Sequence, residues 1–372
     1  MRVIAYLMKQ RRYDFVMTVL DGIDSASHCL WKYIDEGHPK YNPKFAEEGR
    51  KAFYRSYELA DEALGQMISM FDSHPNVVLL SDHGNGPVYY GVYINNWLVK
   101  NKHLALKRTA KTQLKRWAFQ RGFNLYNVFK VAEKLGLLPS VETAYAKRSR
   151  MLDLVERMSL SFLDVDWEKT KAYSYGNYGQ LFVNLKGREP HGIVEPGHER
   201  ETYVHQLVTE LAELTDPKTG QRIFDQIHAT EDMYHGAQAI YGPDVLFLDS
   251  KMLYDAHRFF EFASNSLVTE HPVYSGNHKP DGVLICAGPD LVGRGELAPA
   301  SIIQITPTIL ALHGIEIPSF IDGDIVEAVI GRRGTMEKSP PALQITETVA
   351  DAQGLTEEET VEITDRLKDL GY

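Results

Sequence analysis

Runs of apolar residues first divide the chain into strands and helices. Residues 77–80 are two valines and two leucines in a row, and residues 15–20 form a second apolar run rich in β-favouring types. An unbroken apolar run of this length is typical of a strand buried on both faces. Between the two runs, residues 47–71 carry apolar side chains at the spacing of one buried helix face. Residues 13–84 therefore predict a right-handed βαβ unit with parallel strands.

The same alternation continues along the chain. Residues 180–185, 243–248 and 283–289 have strand character, while residues 201–214 have helical character. A further helix begins at Thr306-Pro307-Thr308, with proline in its first turn, and ends at Gly314. Strands alternating with helices are typical of an α/β fold built on a parallel sheet.

Polar side chains follow the first two predicted strands. Asp82 and His83 come after residues 77–80, from which only Ser81 separates them, and Asp24 comes shortly after residues 15–20. Ligands of α/β proteins bind at the carboxyl ends of the strands. If Asp24 starts a helix, His28 lies one turn later on the same face, and both side chains can bind one ion.

A third candidate lies far along the chain. His278 stands in the glycine-flanked segment 275–282, before the strand at 283–289, and we expect it on a loop. The neighbouring His271 is a competing ligand, ranked lower because the Gly-x-His context of His278 permits close backbone approach. Two aspartates and three histidines suit a pair of Zn²⁺ ions, with Mn²⁺ as the alternative, better than Ca²⁺ or Mg²⁺. Paired metals are a recurring device of phosphoryl chemistry.

Composition limits the class of protein. The chain has 372 residues, of which 44% are apolar and 24% charged, as in an ordinary globular protein. A net charge of −10 argues against a general nucleic-acid binder. The two cysteines, Cys29 and Cys286, offer no disulfide framework, which favours a reducing, cytoplasmic compartment. We find no signal peptide at Met1 and no apolar run long enough to span a bilayer.

One segment has the opposite charge to the rest. Residues 100–150 contain thirteen Lys or Arg and two Glu, interleaved with aromatic residues. One interpretation is a helical insert, over about residues 100–160, with a solvated basic face. The other is a lid or a docking surface for an anionic substrate, membrane or partner. Residues 1–330 are predicted to form the core with this insert, and residues 331–372 a linker followed by a C-terminal helix capped at Thr356.

The order of these motifs resembles that of the alkaline phosphatase superfamily, in particular its type I phosphodiesterase/nucleotide pyrophosphatase branch. The resemblance rests on the following motifs: Asp24-x-x-x-His28, Ser81-Asp82-His83-Gly84, Gly276-x-His278 with Pro280-Asp281-Gly282, Thr306-Pro307-Thr308 and Asp322-Gly323. It implies a three-layer αβα sandwich with a central, mostly parallel sheet. It also implies hydrolysis of a small-molecule phosphoester, with Asp24, His28 and His278 on one metal and Asp82 and His83 on the other.

In one respect the chain departs from that family. The family places a further metal-binding Asp and a Thr or Ser nucleophile upstream of these motifs, and nothing before Asp24 matches them. We therefore expect the chain to be an N-terminally incomplete piece of a phosphodiesterase. The alternatives are another member of the superfamily, a phosphomutase or a sulfatase, or a catalytically incomplete metal-binding protein.

Overall fold

A computed structural model describes residues 2–135, 159–176, 178–256, 262–292 and 295–330. The chain divides into two compact units. Unit 1 comprises residues 1–70 and 83–282, and unit 2 comprises residues 71–82 and 283–372. The predicted linker and C-terminal helix at 331–372 lie outside the described residues, as does the second half of the predicted basic insert.

The helices of the described residues are α1 (Arg2–Gln10), α2 (Gly22–Leu30), α3 (Pro43–Ile68), α4 (Ile94–Lys100), α5 (Ala110–Gln120), α6 (Leu125–Lys134), α7 (His198–Ala212), α8 (Ile305–Leu312) and α9 (Glu327–Ile330). The strands are β1 (Val77–Leu80), β2 (Gly84–Pro87), β3 (Tyr90–Val92), β4 (Ala172–Ser174), β5 (Gln180–Val183), β6 (Gln226–Ala229), β7 (Val245–Leu248), β8 (Tyr254–Asp255), β9 (Val268–Glu270), β10 (Gly276–Lys279) and β11 (Leu284–Ala287). None of the helices in this part of the chain is long and apolar enough to cross a bilayer.

The core of unit 1 lies between a four-stranded antiparallel sheet and α7. The strand order is β4-β5-β7-β6. Burial alternates along β5 and β7, so that Leu181 and Val183 point inward beside Val245 and Phe247. This is the pattern of an antiparallel sheet with one buried face. Helix α7 covers that face with residues one turn apart along one side: Tyr203, Val204, Leu207 and Leu211.

Two small sheets and a helix pair complete unit 1. Strand β3 pairs with β8 in parallel and with β9 antiparallel, and β2 pairs with β10 antiparallel. Helix α3 starts at Pro43 after Asn42, whose side chain accepts a hydrogen bond from the Lys44 N–H. It packs against α2 and against the short turn Trp31–Tyr33 that follows α2, where Gly49 is needed because a Cβ would lie 2.2 Å from the Tyr33 ring.

Unit 2 is built on a separate strand pair. Strand β1 pairs antiparallel with β11, with Val77 opposite Ala287 and Leu80 opposite Leu284. A small apolar cluster gathers around Val326, Val329 and Ile330, and residues of α8 pack against it.

The expected three-layer sandwich with a central, mostly parallel sheet is wrong for this structure. Its sheets have two to four strands, and among the described strands only β3 and β8 pair in parallel. Residues 15–20 form no strand, and Phe15, Met17 and Val19 are 51%, 75% and 78% exposed. The predicted βαβ unit is therefore absent. Strand β1 is half-buried rather than central, and its partner β11 runs antiparallel to it.

Candidate metal centre

Helix α2 presents two of the predicted ligands on one face. Asp24 and His28 stand one turn apart, and the distance from His28 Nε2 to Asp24 Oδ2 is 3.4 Å. The helix begins at Gly22, directly after Asp21, so Asp24 lies in its first turn. The geometry is the one that the i, i+4 spacing predicts.

Strand β10 brings the third residue to the same place. The distance from His278 Nε2 to Asp24 Oδ1 is 3.5 Å. His278 lies within a strand and not on a loop, so that part of the sequence interpretation is wrong. Ligand atoms of Asp24, His28 and His278 all lie within 4.8 Å of one another, and we call these residues the ligand cluster.

Backbone contacts fasten β10 to α2. The Ser275 N–H donates to the His28 carbonyl at 2.8 Å, and His28 Nδ1 lies 2.8 Å from the Gly276 carbonyl. A Cβ at Gly276 would stand 2.2 Å from the Ser27 carbonyl, so only glycine permits this approach. The cluster is therefore held together by the main chain as well as by its side chains.

In both histidines of the ligand cluster, Nε2 approaches Asp24, while the other ring nitrogen, Nδ1, contacts an oxygen atom. For His28 this oxygen is the Gly276 carbonyl, which can only accept a hydrogen bond, so Nδ1 carries the proton. For His278 it is the Tyr178 hydroxyl, 2.8 Å from Nδ1. Such outer contacts fix the tautomer and leave Nε2 with a lone pair. Both Nε2 atoms are thus suited to bind a cation beside Asp24.

Tyr178 belongs to a longer chain of polar contacts. Its hydroxyl donates to Asn277 Oδ1 at 3.3 Å, and Asn277 Nδ2 donates to Asp255 Oδ2 at 3.3 Å. Burial raises the pKa of Tyr178 above its ordinary value, so the phenol keeps its proton. Its φ of +60° lies in the left-handed region, which is strained for an aromatic residue and marks a position constrained by its surroundings.

His271, the competing candidate, lies on that polar chain and not in the ligand cluster. It is fully buried, and its Nε2 is 3.3 Å from Asp255 Oδ2. Its Nδ1 accepts a hydrogen bond from the Tyr274 N–H at 2.9 Å. Both nitrogens are thus engaged with protein groups.

The donor set and one unsatisfied atom fit a divalent cation. Asp24 Oδ1 is buried and has no hydrogen-bond partner, although the carboxylate as a whole is partly exposed. An ionised oxygen left in this state costs free energy unless a cation neutralises it. One carboxylate and two imidazoles are the three protein ligands typical of a catalytic Zn²⁺ site.

His83 lies beside the cluster in a different arrangement. Its ring stacks on the His278 ring, with centroids 3.5 Å apart, and its Nδ1 is 3.0 Å from the Gly84 carbonyl. Asp82 lies two residues after the end of β1, but it is exposed and belongs to unit 2. The assignment of these two residues to a second metal stays a prediction.

Sequence reasoning missed two residues near the cluster. Tyr178 follows no recognisable ligand spacing, and its only signal is the glycines at 176 and 179 that flank it. Asn85 stands opposite His278 in the β2–β10 pairing, and its Oδ1 is buried without a hydrogen-bond partner. Directly opposed residues of an antiparallel pair lie close together on one face. Asn85 is therefore a cross-strand neighbour of His278.

Comparison with known proteins identifies the family of the chain. A family model described as "Type I phosphodiesterase / nucleotide pyrophosphatase" matches residues 2–238. The matched range contains Asp24, His28, Asp82 and His83, and it ends before His278. No curated protein and no solved structure matches the chain significantly.

Proposed function

Because the chain belongs to the type I phosphodiesterase/nucleotide pyrophosphatase family, whose members hydrolyse phosphoester bonds, we propose that it is a metal-dependent phosphodiesterase. Its substrate is a small-molecule phosphoester and not a nucleic acid, in keeping with the chain's net charge of −10. The observation that carries the proposal is that His278 meets Asp24 and His28, although more than 240 residues of chain separate it from them.

The first cation is held by the ligand cluster. Asp24 provides the charge, and His28 and His278 provide the two nitrogens whose opposite edges are fixed by Gly276 and Tyr178. The second cation is assigned to Asp82 and His83, by the family pattern. The stacking of His83 on His278 supports this assignment, because it places the second histidine next to the first site. Zn²⁺ is the preferred ion and Mn²⁺ the alternative, since imidazole and carboxylate suit both.

When bound, such cations neutralise the phosphoryl oxygens and activate the attacking oxygen for in-line displacement. The chain's own residues set the geometry. The main-chain contacts between α2 and β10 keep the two imidazoles in place before substrate arrives, so little reorganisation is needed during the reaction.

Ser27 and Ser275, two serines beside the ligand cluster, are not assigned as the attacking hydroxyl. Ser27 Oγ donates to the Ile23 carbonyl at 2.8 Å, and Ser275 Oγ donates to the His28 carbonyl at 3.1 Å. Both hydroxyls are committed to the backbone. We assign no catalytic nucleophile among the described residues. The chain has two cysteines, Cys29 and Cys286, which is too few for a disulfide framework and supports a working compartment that is reducing, such as the cytoplasm.

The proposal is tested by measuring both the metal content of the protein and its rate of phosphodiester hydrolysis. The protein is stripped with a chelator, reloaded with Zn²⁺ or Mn²⁺, and assayed by elemental analysis and with bis-p-nitrophenyl phosphate. Asp24→Asn removes the central charge, and we expect it to lose the cluster's bound metal and any turnover. Asp21→Asn, at an exposed aspartate just before α2 with no capping hydrogen bond, is the matched control. Equal metal content in the two variants would refute the assignment of Asp24.

A further inference from the structure

The outward side of α5 combines apolar and cationic side chains. Leu114 and Trp117 are 66% and 53% exposed, and Arg121 continues the same stripe one turn later. Lys111 and Arg116 are exposed on either side of this stripe. We call these five residues the α5 face.

The helix is fixed by its opposite side. Lys115 forms a buried ion pair with Asp164, with Nζ and Oδ2 2.9 Å apart, and the Thr112 hydroxyl donates to Asp164 Oδ1 at 3.0 Å. The Thr109 side chain caps the helix by accepting a hydrogen bond from the Thr112 N–H. Phe119 is buried in the core of unit 1. The α5 face is therefore presented to solvent by an anchored helix.

The charge around the α5 face is opposite to that of the whole chain. Residues 100–134 contain ten Lys or Arg and one acidic residue, Glu133, within a chain of net charge −10. Among these cations, Lys115 pairs with Asp164 and Lys130 with Glu270, while Lys107, Arg108, Lys111 and Arg116 are exposed. Such a local reversal of sign is complementary to an anionic surface.

The apolar centre of the face distinguishes between anionic partners. The Arg121 guanidinium carbon lies 4.0 Å from the centroid of the Trp117 ring, so this ring face is already covered and is not open for stacking on a nucleobase. The apolar side chain of Leu114 can form no hydrogen bond or ion pair with a phosphate backbone. Trp and Leu surrounded by Lys and Arg are the residues that enter the headgroup region of a bilayer. We propose that the α5 face docks on the surface of a membrane that contains anionic lipids.

The proposal is independent of the metal centre, because the two share no residue. Its first test is flotation of the intact protein with vesicles of phosphatidylcholine, with or without phosphatidylserine. We expect binding only to the anionic vesicles and release by salt. The double variant Lys111→Gln/Arg116→Gln should bind about 25-fold more weakly, at about fivefold per cation near an anionic surface. The matched control Lys44→Gln/Arg50→Gln removes two exposed cations from α3 and should bind like the unmodified protein.

The second test addresses the apolar centre. Leu114→Ala should weaken vesicle binding severalfold, whereas Leu59→Ala, at an exposed leucine of α3, should not. Trp117 fluorescence should shift to the blue on vesicle binding, and Trp117→Phe should abolish that shift. Circular dichroism of each variant verifies that the fold is retained.

Three outcomes would overturn the proposal. The first is equal binding to neutral and anionic vesicles. The second is undiminished binding of the Lys111→Gln/Arg116→Gln variant. The third is binding to duplex DNA through these residues with no binding to the anionic vesicles, which would make the face a nucleic-acid surface instead.

Discussion

The imidazole of His278 has its two nitrogens in different environments. Nε2 approaches Asp24, while Nδ1 meets the Tyr178 hydroxyl, which in turn donates to Asn277. These hydrogen bonds are satisfied together when His278 Nδ1–H donates to the phenol oxygen and the phenol O–H donates to the Asn277 amide oxygen. The phenol thus determines which nitrogen of His278 carries the proton and which faces Asp24 with its lone pair.

We therefore expect Tyr178→Phe to weaken binding of Zn²⁺ by about 10–100-fold, the usual cost of losing an outer partner of a metal-bound histidine. The ring is retained, so packing should change little. Competition with a chelating dye measures the affinity without reference to turnover. Tyr175→Phe, at a tyrosine that is 52% exposed, is the control and should bind normally. Normal affinity of the Tyr178→Phe protein would mean that His278 is oriented by other contacts.

His38 and His271 are expected to make the fold sensitive to acid. Burial lowers the pKa of both side chains below the ordinary value of 6.5. His38 accepts a hydrogen bond from the Lys40 N–H at Nδ1 and lies 3.0 Å from the Val88 carbonyl through Nε2, so the neutral ring is satisfied. Below pH 6.5 these histidines bind protons in the unfolded chain but remain neutral in the folded chain. The free energy of unfolding should therefore fall as the pH is lowered.

This loss should reach at most about 1.4 kcal/mol per pH unit for each histidine. Urea denaturation at a series of pH values from 8 to 5 measures it. His38→Asn should lower overall stability but flatten the acid slope. A slope unchanged by this substitution would show that the acid sensitivity arises elsewhere.

At the scale of elements, the contact between α2 and β10 depends on one glycine. Gly276→Ala would place a Cβ 2.2 Å from the Ser27 carbonyl, and backbone cannot move aside as a flexible side chain can. We expect a loss of about 1–3 kcal/mol in unfolding free energy, together with weaker metal binding because His278 moves away from Asp24. Gly22→Ala is the control, since nothing lies within 4 Å of a Cβ there. Equal stability of the two variants would show that α2 and β10 can separate without cost.

Local apolar patterns predicted the positions of several helices and strands but not how the strands pair. Helix α3 and strands β1 and β7 lie where the local apolar patterns predicted an element, because those patterns act over a few residues. The direction of pairing was wrong, since the antiparallel partner of β1 lies some 200 residues away and leaves no trace in the run itself. Asp24 and His28 were predictable as a pair for the same local reason. Tyr178 was not predictable, because its role depends on a contact with His278, which lies 100 residues further along the chain.

For the whole molecule, metal binding and folding should be coupled. The ligand cluster joins residues 24–28 to residue 278, and the unfolded chain does not hold them together. Zn²⁺ at a hundred times its dissociation constant should therefore add about 2.7 kcal/mol to the free energy of unfolding. Thermal unfolding with and without Zn²⁺ measures this difference. Asp24→Asn should abolish the increase, and an increase that survives in the variant would place the stabilising ion elsewhere.

The hydrogen bond between His28 and Gly276 spans 248 residues, and this distance has a consequence during synthesis. At roughly 5–20 residues per second, a ribosome needs roughly 12–50 s to pass from one partner to the other. During that interval Asp24 and His28 are the only members of the ligand cluster in the nascent chain, and two ligands are too few to retain a trace metal against competing cellular ligands. The centre is thus completed only after residue 278 has been synthesised, and the ion it acquires is set by the metals available from that point on.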